Sequence, residues 1–95
     1  MNQPDATYIR ALTVSVRRGE EGGEEGGLLL ETYFGRYILN RDARDVWRLI
    51  DGHRPVSAVA ALVGEARGVT PDEVYGPLDG LCRRLFELGL LETAA

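Results

Sequence analysis

An α+β fold is what this chain predicts, with a small antiparallel sheet first and three helices after it. Two observations carry the expectation: apolar spacing changes from every second residue to a 3.6-residue period just past Asn40, and Thr70-Pro71-Asp72-Glu73 spells a helix start. Ninety-five residues, 44% of them apolar, suit one domain with one modest core.

Taken in order, residues 1–7 read as a flexible tail. From Ile9 to Arg18 the chain alternates, with Leu12, Val14 and Val16 on one face and Ala11, Thr13 and Ser15 on the other, as a half-buried strand does. The repeat from Gly19 to Gly27 holds four glutamates, five glycines and no apolar anchor, so it predicts a mobile acidic connection. A second strand follows at Leu28-Leu29-Leu30-Glu31-Thr32. Gly35 offers the positive backbone angle of a turn before a third strand, Arg36-Tyr37-Ile38-Leu39. The three make an antiparallel meander.

Helical spacing then begins. Ala43, Val46, Trp47 and Ile50 form the stripe of a first helix, capped by Asn40 or Asp42 and ended at Asp51-Gly52. Val56, Val59, Ala60 and Val63 form a second stripe after Pro55, with Gly64 or Gly68 at its exit. In the third helix Thr70 caps, Pro71 takes the first turn and Glu73 completes a capping box. Gly76-Pro77 removes a backbone donor and predicts a kink. The segment from Glu92 to Ala95 reads as a tail.

That third helix has two apolar faces where a surface helix needs one. Val74, Leu78, Leu81, Leu85 and Leu88 form the first, and Tyr75, Cys82 and Phe86, with Asp79 among them, form the second. One face can meet the core. The other is covered by the N-terminal sheet or forms the floor of a binding groove, and spacing leaves both open.

Chemistry is scarce. One cysteine, Cys82, and one histidine, His53, nearly thirty residues apart, are a poor nucleophile pair and too few ligands for zinc. The glycine-rich repeat is acidic where a phosphate would sit and leads into a strand rather than a helix. No cofactor, metal site or enzymatic activity is expected. Four of the fifteen acids fall in that repeat, which leaves eleven against eleven basic residues, all arginine. The body is therefore near neutral, and attraction to nucleic acid or membrane is not expected. No stretch of about 18 apolar residues could span a bilayer, and the start lacks the pattern of a signal peptide, so a cytoplasmic location is expected.

Three strands followed by three helices resemble a winged-helix-like domain. Gly35-Arg-Tyr-Ile-Leu-Asn40, Val46-Trp47, Ile50-Asp51-Gly52, Val56 with Val59-Ala60, then Leu81, Leu85 and Gly89-Leu90 narrow the match. In order and spacing they resemble the PqqD-like family, the leader-peptide recognition domains of ribosomally made, post-translationally modified peptides. The resemblance covers Leu12 to Leu91 and departs at Pro77 and the glycine-glutamate loop. It implies a noncatalytic domain, residues 1–95, that takes the leader of a precursor peptide as an added strand and presents it to a modifying enzyme. That enzyme would be a radical SAM protein or a leader peptidase or cyclase.

On this sequence the peptide would meet Arg36, Tyr37, Ile38 and Leu39 of the third strand. Tyr75, Cys82 and Phe86 of the third helix would form the groove floor, with Leu78 at its boundary. Arg36 and Arg83 would meet acidic leader residues, and Asp79 would oppose them. The plainer alternatives are that Tyr37, Leu39 and Trp47 face the core and that Cys82 is a small buried apolar group. Arg41, Arg44 and Arg48 are either a surface for the enzyme or a solvated face. The competing functions are a winged-helix DNA-binding regulator, disfavoured by acids on the third helix, and a protein-docking or dimerisation module.

Overall fold

The computed structural model describes residues 5–17 and 27–94. Its elements are β1 (Tyr8–Arg10), β2 (Ser15–Arg17), β3 (Leu28–Thr32), β4 (Gly35–Leu39), α1 (Arg41–Leu49), α2 (Val56–Arg67), α3 (Pro71–Glu87) and β5 (Leu91–Thr93). The class is α+β with antiparallel sheets and three helices, as the change of period predicts. The sheet arrangement differs from the expected single meander: β2, β3 and β4 form one sheet, and β1 pairs with β5 in another.

The expected strand from Ile9 to Arg18 is thus two strands. Leu12 and Thr13 turn between them, with the Val14 N–H donating to the Ala11 carbonyl at 3.2 Å and Leu12 almost wholly exposed. Before the turn the chain is committed to the C-terminal strand, since the Ala11 N–H donates to the Leu90 carbonyl at 3.1 Å. Period-two alternation continues across such a break, which is why the sequence pattern does not reveal it.

Both expected tails are corrected where they are described. Glu92 and Thr93 lie in β5, opposite Ile9 and Tyr8. Ahead of β1, the Ala6 carbonyl accepts from the Val56 N–H at 2.8 Å, and Thr7 bridges Pro55. The acidic repeat lies outside the described residues except for Gly27.

The turn from β3 to β4 also corrects an expectation. Gly35 does not take a positive φ; Gly52, Gly68 and Gly89 do. Thr32 holds the turn through its hydroxyl, which accepts from the N–H groups of Phe34 (3.1 Å) and Gly35 (3.2 Å). The turn is closed by side-chain hydrogen bonds and needs no residue at positive φ.

The helices start and stop where their caps say. The Asn40 side chain accepts from the Ala43 N–H at 2.8 Å, and Gly68 ends α2 at φ 71°. At α3 the Thr70 hydroxyl accepts from the Glu73 N–H at 3.3 Å and Glu73 Oε2 accepts from the Thr70 N–H at 2.9 Å. The helix then runs without interruption from Pro71 to Glu87 with Pro77 inside it. The core gathers Tyr8, Leu28, Leu30, Leu39, Trp47 and the buried faces of the helices, with Leu90 and Leu91 fully enclosed. Among the described residues, no helix is long and apolar enough to cross a membrane.

Candidate functional site

β4 is an edge strand. It pairs on one side with β3, in the register Leu28↔Leu39, Leu30↔Tyr37 and Thr32↔Gly35, and no described strand pairs with its other side. In an antiparallel ladder alternate residues spend their N–H and C=O on the partner, so the remaining ones face the free edge. The side chains alternate as the strand period requires. Arg36 and Ile38 point outward, Ile38 being 60% exposed, while Leu39 is buried and Tyr37 packs half-buried against the core.

α1 begins immediately after β4, and there an apolar cavity of about 430 Å³ opens between the helices. Val46 of α1 and Val63 of α2 form one wall, and Val74, Pro77, Leu78 and Leu81 of α3 form the other. Asp42 and Arg67 close one rim with an ion pair at 2.9 Å. Asp42 is three residues beyond Leu39, at most about 11 Å of chain. The free edge and the cavity are therefore near neighbours.

The expected groove floor is organised differently. Cys82 is 1% exposed and belongs to the core, where burial first and the Asp79 carboxylate second push its thiol up to about 11. That is the chemistry of a packing group rather than of a contact surface. Tyr75 donates to Asp5 at 3.5 Å, and its hydroxyl pKa is raised by burial and by that carboxylate. Phe86 is half-exposed and tilts against Tyr8, ring centroids 6.0 Å apart. Tyr8 is itself buried, and its hydroxyl pKa is raised by that burial and by the nearby Cys82 and Asp79.

The segment from Asp5 to Tyr8 thus touches the Tyr75-Asp79-Cys82-Phe86 stripe at both ends, at Tyr75 and at Phe86, and leaves Phe86 half-exposed. Leu78, expected at the boundary of core and groove, is buried and lines the cavity. The charged residues are engaged as well: Arg83 meets Asp79 and Arg36 meets Glu31, each at 2.9 Å.

Of the stripe that sequence reasoning offered as a groove floor, Cys82 is buried, Tyr75 and Asp79 are partly buried, and Phe86 stays half-exposed. Val74, Leu78 and Leu81 belong to the first apolar row of the sequence and Pro77 does not, yet all four line the cavity, and nothing in the spacing says which row the N-terminal segment touches. Trp47, assigned to packing, is 2% exposed, with the Arg10 guanidinium 6.0 Å from its ring.

The family model described as "Coenzyme PQQ synthesis protein D (PqqD)" matches residues 20–91. No curated protein matches the chain. A solved chain, "TbiB1 in Complex with the TbiA(beta) Leader Peptide", shares the fold with a TM-score of 0.73 at 16% identity. The match covers 88% of this chain and 94% of that one.

Proposed function

The chain belongs to the PqqD family, and from that premise we propose that it is a noncatalytic recognition domain of a ribosomally made peptide pathway. It binds the leader of a precursor peptide in the cytoplasm and presents it to a modifying enzyme, a radical SAM protein or a leader peptidase. The observation that carries this reading is the edge of β4 that no described strand pairs, with an apolar cavity between the three helices a few residues further along the chain. TbiB1, which shares the fold, is a protein solved with a leader peptide.

The leader adds as a strand to β4, where backbone pairs supply affinity, and side chains set the register. Arg36 and Ile38 flank that strand, and an apolar leader residue enters the cavity beside Val74, Pro77 and Leu81. The three-helix body acts as a winged-helix-like scaffold whose open side takes peptide. Holding the leader raises the effective concentration of the attached core peptide at the enzyme, so the contribution to rate is proximity.

An amide NMR titration with the leader of the precursor encoded beside this chain tests the reading, with a DNA duplex as control. Shifts confined to Arg36–Leu39 and Val74–Leu81 are expected. Silence to the leader with shifts on DNA would replace this reading with a regulator. Leu81→Arg should weaken leader binding about tenfold or more, because it puts a charge into an apolar site. Phe86→Arg should change it less than about threefold, and the reverse order would return the groove to the Tyr75-Phe86 stripe.

A further inference from the structure

The turn between β3 and β4 carries Tyr33 and Phe34, which are 93% and 90% exposed. Neither residue is explained by the fold. Both are absent from the core, and tight turns favour Gly, Asn, Asp, Pro or Ser, whereas this one is held by the Thr32 hydroxyl. Their rings meet edge to face, centroids 5.4 Å apart, so the two present one contiguous aromatic surface to solvent. Solvent-facing aromatics are the side chains that most often anchor protein interfaces.

We propose that the Tyr33–Phe34 tip docks the enzyme that processes the bound peptide. This inference rests on the leader-binding reading, and direction selects the occupant. Both existing pairs in this sheet are antiparallel, and antiparallel addition is the more stable and commoner mode. A leader strand antiparallel to β4 enters beside α1 and leaves past Gly35, at the tip. A leader precedes the core peptide in its precursor, so the segment to be modified emerges at Tyr33 and Phe34, where the enzyme must stand.

Area points to the same occupant. Two such side chains bury about 300 to 500 Å² between them, far below the roughly 1,200 Å² of a stable interface. Tip against tip, two copies of this chain would not hold together. Beside a bound leader strand the tip becomes one anchor of a larger composite surface, partly protein and partly peptide.

The test uses the full chain, a synthetic leader of the neighbouring precursor and the purified modifying enzyme encoded with it. Tyr33→Ser/Phe34→Ser should leave the circular dichroism spectrum unchanged and leader affinity within about twofold, while enzyme affinity for the leader-loaded protein falls about tenfold or more. Unchanged enzyme affinity would overturn the proposal. So would a tenfold loss of leader affinity, which would make the tip a peptide subsite, or a wild-type dimer in sedimentation that the variant abolishes. Failure of the wild-type protein to bind leader would be a different failure, that of the leader-binding reading itself.

Discussion

At the scale of single residues, the two-residue period of β4 is enough to place Arg36 and Ile38 outside and Leu39 inside, because a strand offers only two faces. Cys82 shows where such reasoning stops. Its helical stripe is visible in the sequence, but its burial depends on Tyr8, more than seventy positions away, and no local pattern carries that contact. Native Cys82 should resist iodoacetamide at neutral pH and react only on unfolding, as followed by mass spectrometry; rapid labelling of folded protein would contradict its place in the core. The pH dependence has a definite sign. The thiol titrates near 9.0 when solvated and is pushed up to about 11 in the fold. Its contribution is complete below pH 9 and should be lost as pH rises toward 11, lowering the denaturation midpoint over that window.

Among elements, α3 is the one most fully written into the sequence, since its cap needs only residues three apart. Thr70→Ala should cost about 1 kcal/mol in urea denaturation. Glu73 is held below its ordinary carboxylate range, first by the Thr70 backbone N–H and then by the Thr70 hydroxyl. A depressed carboxyl stabilises the fold above its unfolded value of 4.5 and loses that contribution as pH falls through the folded one. Thr70→Ala removes the hydroxyl and keeps the backbone N–H, so it should flatten the acid limb of the stability profile below about pH 4.5 only in part. Gly64, offered by the sequence as a possible helix exit, lies inside α2, where an added Cβ would stand 2.7 Å from the Val69 carbonyl oxygen. Gly64→Ala, which in an open helix would add about 0.5 to 1 kcal/mol of stability, should here remove about 1 to 3 kcal/mol, measured by the same denaturation. The split of β1 from β2 was the element least accessible to sequence, because the partners that divide them, β5 and β3, lie on opposite sides of the turn in pairing but not in pattern.

For the molecule as a whole, the fold class followed from one change of period, while the closure of the domain did not. Three-residue β1 and β5 are too short to announce themselves, and each reads as a tail until the other is beside it. Tyr8→Ala should therefore cost about 3 kcal/mol or more, as an aromatic lost from the core does, whereas a tail residue would cost nothing measurable. The pairing of Tyr8 with Thr93 has a topological consequence. It brings the two ends of the folded body within a strand spacing of each other, so a short glycine linker could join them and the chain could be reopened elsewhere. A circular permutant with new ends in the acidic repeat would keep every described strand and helix intact. It should unfold cooperatively within a few degrees of the parent, and it would present the β4 edge on a body whose start and finish had been moved to a different face of the connectivity.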